Sequence, residues 1–205
     1  YEIIPTNRAR KAYMDIDGKN QHSLGNAIKI VKMLFGDDVK MAISGAGKGV
    51  YEGKVKWSYH ICLYEIIFKN KDAMEKFKLC LKGLKVDEDN ENNNGFDNVY
   101  GANQVMKAIN QSKGRVKPPK KKKGETKPRP KPPKRIQKII QDDNFENHII
   151  NVIGESKTNG ENYNKVFEKY IKEEDKKFKK KLKSLGLKNK NIKVKKYDNF
   201  RQIPF

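Results

Sequence analysis

Lys54-Val55-Lys56-Trp57-Ser58-Tyr59-His60-Ile61-Cys62-Leu63-Tyr64-Glu65-Ile66-Ile67-Phe68 is the stretch on which the fold turns. It reads as one long strand. Side chains alternate across a strand. Val55, Trp57, Tyr59, Ile61 and Leu63 therefore share one apolar, core-facing side, while Lys56, Ser58, His60, Cys62 and Tyr64 share the other. The second side carries an ammonium, a hydroxyl and an imidazole, which together can present donors to a phosphate.

Upstream, Lys11 to Ile16 is apolar-rich and runs into Asp17-Gly18, a strand followed by a turn pair. Ser23 is placed to cap a helix from Leu24 to Phe35, whose apolar face is Ala27, Ile28, Val31, Leu34 and Phe35, with Gly36 as its stop. Val39 to Ser44 alternates like a strand, and Ser44 to Gly53 reads as a glycine-rich loop. Downstream, Asn70 or Asp72 caps a helix in which Met74, Phe77, Leu81 and Leu84 recur at helical spacing. An acidic, Asn-rich loop follows over Asp87 to Gly95. A third helix is expected from about Asn162 to Leu185, with Tyr163, Phe167, Tyr170, Ile171, Phe178, Leu182 and Leu185 as its apolar stripe. These elements predict an α+β fold, with a mixed or antiparallel sheet flanked by helices.

The charge is uneven. The 205 residues include 46 Lys+Arg against 25 Asp+Glu, a formal +21. Such a surface repels itself unless a polyanion neutralises it. Lys113 to Lys138 holds Lys120, Lys121, Lys122 and Lys123 within a long basic run, together with six of the chain's 8 prolines. Proline removes a donor and locks φ, so neither a helix nor a central strand suits that stretch. It divides the chain into a core over 1–113, a basic loop or linker over 114–133, and a carboxy-terminal part over 134–205. With only Cys62 and Cys80, a disulfide scaffold is excluded. No stretch reaches the ~18 apolar residues of a membrane span, and no signal peptide is visible. The expected setting is a reducing, intracellular one, with no membrane partner.

Three segments can carry chemistry. In Met14-Asp15-Ile16-Asp17-Gly18 the two carboxylates share a strand face, about 7 Å apart along the backbone. Hard divalent cations prefer such oxygen ligands, and a pair of ions ~3.5–4 Å apart is the usual device for nucleotidyl transfer. The same Asp-x-Asp also occurs in sugar-nucleotide transferases, and Asp-Gly is an ordinary turn pair. The second segment is Lys56-Trp57-Ser58-Tyr59-His60. The third is Phe96-Asp97-Asn98-Val99-Tyr100-Gly101-Ala102-Asn103-Gln104, followed by Gln111-Ser112-Lys113.

In this order the three segments resemble the archaeo-eukaryotic primase (primase-polymerase) superfamily, closest to the primase domain of the helicase-primases of large DNA viruses. The match covers roughly residues 8 to 115, with a fainter echo in Asp143 to Ile153. The resemblance implies an RRM-like catalytic palm. Asp15, Asp17 and Asp97 would bind two Mg²⁺ or Mn²⁺ ions. Ser58 and His60 would contact the triphosphate of an incoming NTP or dNTP, and Lys113 would help neutralise it. It further implies a single-stranded DNA template and a helicase domain or other replication proteins as partners. A viral source would place the work at a cytoplasmic replication site or in the host nucleus.

Two departures stand out. Lys107 occupies a position where the family often has Arg, which keeps the charge but loses the bidentate fork. The family usually places an α/β portion before its first motif, whereas fourteen residues precede Asp15 here; the expectation is a fragment or a reduced version.

Two other classes fit parts of the sequence. A non-catalytic basic nucleic-acid module would leave Asp15, Asp17 and Asp97 unconverged. A metal-dependent sugar-nucleotide transferase would need no His60. Among weaker signals, Ser44 to Gly49 lacks the spacing of a phosphate loop and reads as a strand-connecting loop that brings Lys48 to the template. Cys62, Cys80, His22 and His148 lack zinc spacing. Lys176 and Lys180, on the polar side of the third helix, are candidates for salt-dependent backbone contact.

Overall fold

The long strand exists as read. In the computed structural model, which describes residues 2–51, 54–86, 95–96, 104–106, 136–152 and 156–184, Lys54–Phe68 forms β4, which is hydrogen-bonded to a strand on each side. The other strands are β1 (Glu2–Ile4), β2 (Arg10–Gly18), β3 (Ala42–Tyr51), β5 (Gln104–Met106) and β6 (Lys138–Gln141). The main sheet has the order β2-β4-β3-β6, antiparallel throughout, and β1 and β5 pair separately. Three helices pack against the sheet: α1 (Ser23–Phe35), α2 (Glu75–Gly83) and α3 (Asn164–Ser184). The fold is α+β.

Alternation decides which side each strand buries. Ala12, Met14, Ile16, Ile43, Ile61 and Leu63 are all 0–1% exposed and form the floor beneath the helices. The helices close this floor with an aromatic cluster. Phe35 of α1 meets Phe77 of α2 at 5.4 Å, Phe167 of α3 at 5.7 Å and Tyr163 at 4.8 Å, all edge-on. Phe68, the last residue of β4, stacks on Phe77 at 6.1 Å. Edge-to-face and offset pairs of this kind add about 0.5–1.5 kcal/mol beyond the area they bury.

Asn159 ties the entrance of α3 to the end of β4. Its backbone N–H donates to the Ile67 carbonyl at 2.9 Å, its Oδ1 accepts from Ile67 N at 2.7 Å, and its Nδ2 donates to the Glu65 carbonyl at 2.8 Å. The side-chain amide thus stands in for a strand where β4 slips register against β2, between Lys11 and Ala12. The next residue, Gly160, lies so close to the Phe68 ring that a Cβ would come within 2.4 Å of it.

Several local expectations are corrected. The glycine-rich run is strand rather than loop: β3 continues to Tyr51, and Lys48 pairs with Trp57. A bulge makes this possible. Gly45 pairs with Tyr59 and Gly47 with Ser58, so Ala46 is extra. Gly47 takes φ +60, and a Cβ on Gly45 would lie 2.6 Å from Tyr59 Cδ1 and 2.8 Å from Ile140 Cδ1. Asp17-Gly18 is not a turn but the end of β2, because Asp17 N–H donates to the Gly95 carbonyl at 2.9 Å and Ile16 bridges Phe96. Ser23 does not cap α1. Its hydroxyl donates back to the Asn20 carbonyl at 2.9 Å, and the helix begins at Ser23 itself. Gly36, at φ +98, ends α1 as expected.

Candidate functional site

The face of the sheet away from the helices holds the candidate residues Asp15, Asp17, Ser58 and His60, and antiparallel register assembles them. Directly opposed residues point to the same side. Asp15 of β2 opposes His60 of β4, and His60 opposes Ser44 of β3. One step along, Asp17 opposes Ser58, and Ser58 opposes Gly47. Two short polar rows therefore cross the sheet. His60 Nε2 lies 3.5 Å from Asp15 Oδ1. Asp15, Asp17 and His60 are partly buried, with 15%, 14% and 20% of their side chains exposed.

Two contacts on this face are not legible in the sequence, the pairing of Lys56 with Asp17 and that of Gln137 with Ser44. The Lys56 ammonium forms an ion pair with Asp17 Oδ2. Lys56 sits on the outward-facing side of β4 in the sequence pattern, but nothing in that pattern shows that strand pairing sets it against Asp17. Gln137, 1% exposed, donates from Nε2 to Ser44 Oγ at 3.1 Å, and Ser44 is 4% exposed. That contact joins residues 93 positions apart in sequence, which no local signal reveals.

The segment after β6 borders the site. A 3₁₀ turn at Phe145–His148 packs on this face, with Lys11 Nζ donating to the Glu146 carbonyl at 2.7 Å and Lys11 N to the Ile150 carbonyl at 2.8 Å. Asp142 makes the corner at φ +71. Burial raises the Asp142 pKa, but hydrogen bonds from Asn147 and Asn144, the neighbouring His148 and the Tyr64 hydroxyl outweigh it and hold the carboxyl below its ordinary value. Burial, followed by the charge of Asp142, pushes Tyr64 up.

The expected site residues divide into those brought together and those kept apart. Asp15, Asp17, Ser58 and His60 share one face. Asp97, Lys113, Lys120, Lys121, Lys122 and Lys123 lie outside the described residues. Lys48 falls on the helix side of the β3–β4 hairpin by register, opposite Trp57. Lys176 and Lys180 are exposed on α3, in the helical layer rather than beside the acids. Cys62 and Cys80 are free and buried.

Among the described residues no group of three or more His, Cys, Asp or Glu side chains is arranged to hold a metal ion. Asp15 and Asp17 supply two hard oxygen donors of the type Mg²⁺ or Mn²⁺ prefers. Asp17 is already paired with Lys56 and Asp15 stands 3.5 Å from His60, so a metal ion at Asp17 would have to displace the ammonium. No helix among the described residues is long and apolar enough to cross a membrane. The chain matches no protein-family model, and no curated protein is significantly similar to it.

Proposed function

We propose that this chain is a DNA primase or primase-polymerase, a nucleotidyltransferase that makes primers on single-stranded DNA from NTPs or dNTPs inside the cell, in company with a helicase domain or other replication proteins. One observation carries the reading. Two of the three sequence motifs meet as cross-strand pairs, Asp15 with His60 and Asp17 with Ser58. The chain leading to the third motif arrives at the same strand, since Phe96 bridges Ile16, between the two acids. Asp97 follows Phe96 by one Cα–Cα step of about 3.8 Å.

Asp15, Asp17 and Asp97 would hold the two Mg²⁺ or Mn²⁺ ions. Bound there, the ions would neutralise the triphosphate and lower the pKa of the attacking 3′-hydroxyl. The protein's own groups then have the work of positioning, which dominates phosphoryl-transfer catalysis. The Ser58 hydroxyl and a His60 ring N–H can each donate to a phosphate oxygen, and Lys113 adds charge. Lys56, on the same face, can exchange its ion pair with Asp17 for one with phosphate. The adjacency of His60 and Asp15 favours this reading over a sugar-nucleotide transferase, which has no use for the imidazole. The placing of both acids on one partly open face favours it over a passive nucleic-acid module. Lys48, Lys120–Lys123, Lys176 and Lys180 are the candidate template contacts.

The test is synthesis on mixed-sequence single-stranded DNA, with the four NTPs or the four dNTPs and Mg²⁺ or Mn²⁺. The chain should make metal-dependent oligonucleotides. Asp15→Ala and Asp17→Ala should abolish them while leaving DNA binding intact. Product formation by either variant at the wild-type rate overturns the proposal.

A further inference from the structure

The row that holds Asp15 and His60 does not stop at His60. On the opposite flank stands Ser44, the cross-strand partner of His60 on β3. Behind Ser44 lies Gln137, just before β6, with its amide on the serine hydroxyl at 3.1 Å. Four residues from four separate stretches thus form one polar line across the sheet. The last two members are deeply buried, Ser44 at 4% and Gln137 at 1% exposure. Buried polar groups are costly unless they are satisfied. Ser44 accepts from the amide, so its own proton points elsewhere. A serine hydroxyl rotates freely unless something fixes it, and Gln137 fixes this one.

We propose that Ser44 and Gln137 are positioning residues for His60, holding the imidazole between a fixed hydroxyl on one side and Asp15 on the other, so that one ring nitrogen faces the incoming phosphate. The consequence for nucleotide binding rests on the primase reading; the orientation of His60 does not. A ring held in one orientation loses less freedom on binding phosphate than one that must be ordered at that moment. The geometry also explains why the chain commits a glutamine to a fully buried place at the sheet edge. Gln137 is held from a second direction as well, because the next residue begins β6 and Ile139, two residues on, pairs with Ser44.

The experiment compares the full chain with Gln137→Met, which keeps length and apolar volume but loses the amide, and with Ser44→Ala, which loses only the hydroxyl. Two quantities are read at a single pH. The first is the set of ¹⁵N and ¹³C ring resonances of His60 by NMR, without metal or nucleotide. The second is KM and kcat for nucleoside triphosphate in Mg²⁺-dependent synthesis on single-stranded DNA. The proposal expects both variants to shift or broaden the His60 ring signals. It expects KM to rise roughly threefold to tenfold, the worth of one net hydrogen bond, with kcat changed by less than twofold. Should Gln137→Met fail to fold, Ser44→Ala reads the same contact. Shifted His60 signals in a chain with no synthetic activity uphold the positioning role and sink the primase reading. Unchanged ring signals in a folded variant overturn the positioning role whatever the activity.

Discussion

The two faces of one sheet do opposite things with the same strands. On β2, Ala12, Met14 and Ile16 point into the helical layer and are fully buried, while Asp15 and Asp17, interleaved with them, point the other way and are only partly buried. On β4, Ile61 and Leu63 join the core, while Ser58 and His60 meet the acids. The helix face is sealed by an aromatic cluster from three helices. Among the described residues, the turn after β6 packs on the border of the other face, where Tyr13, Cys62 and Ser44 are buried. A period of two therefore separates the core side chains from the candidate site residue by residue. A substitution on one face should leave the other's property nearly untouched.

The largest expected break is on the open face. Asp15→Asn or Asp17→Asn removes a charge that metal and triphosphate would need, a matter of several kcal/mol and so about 10³-fold or more in rate. Thermal unfolding should hardly move, which circular dichroism will check. The converse break is Phe167→Ala in α3. It empties the centre of the aromatic cluster and should cost about 3–5 kcal/mol in urea unfolding, with nucleotide KM unchanged in the folded fraction. If Phe167→Ala raised KM as much as a change on the open face, the separation of the two faces would be lost.

His60→Ala comes next. A hydrogen bond to a charged phosphate is worth about 1.5–3 kcal/mol, so apparent nucleotide KM should rise roughly tenfold to a hundredfold; an unchanged KM removes His60 from the site. Gly45→Ala sharpens the boundary between the faces. Its Cβ would meet Tyr59 Cδ1 at 2.6 Å and Ile140 Cδ1 at 2.8 Å on the helix side, and overpacking of this kind costs about 1–3 kcal/mol. The smallest effect is at Cys80, whose thiol burial pushes up from 9.0 to about 12. Between these two pH values the unfolded chain releases a proton that the folded chain keeps, so stability should fall as pH rises through that window. At neutral pH the native thiol should react with iodoacetamide far more slowly than the same thiol in urea; equal rates would show that α2 opens readily.

What was legible in the sequence follows the same division. Lys54–Phe68 could be bounded because its alternation is unbroken over the part that faces both core and site. α1 could be bounded because Gly36 ends it. The glycine run of β3 reads as a loop in the sequence because glycine marks a turn and a bulge with the same letter. What separates them here is crowding by Tyr59 and Ile140, which are distant in sequence. The extension of β2 through Asp17 depends on Gly95 and Phe96, again a long-range pairing. At the site, the residue types on one strand could be read, as with Asp15 and Asp17 or Ser58 and His60. Their partners across strands could not, because register is set by the whole hydrophobic pattern rather than by any local motif. Lys56 on Asp17, and Gln137 behind Ser44, are of this second kind.

The central claim is that the acids of the open face hold divalent metal for a nucleotide. It is tested most directly by titrating Mn²⁺ into the chain with a nonhydrolysable nucleoside triphosphate, followed by electron paramagnetic resonance, for the wild type and for the double variant Asp15→Asn with Asp17→Asn. The wild type should bind two ions together with the nucleotide, and the double variant, equally folded, no more Mn²⁺ than the nucleotide does alone. Equal binding by the two proteins would contradict the claim.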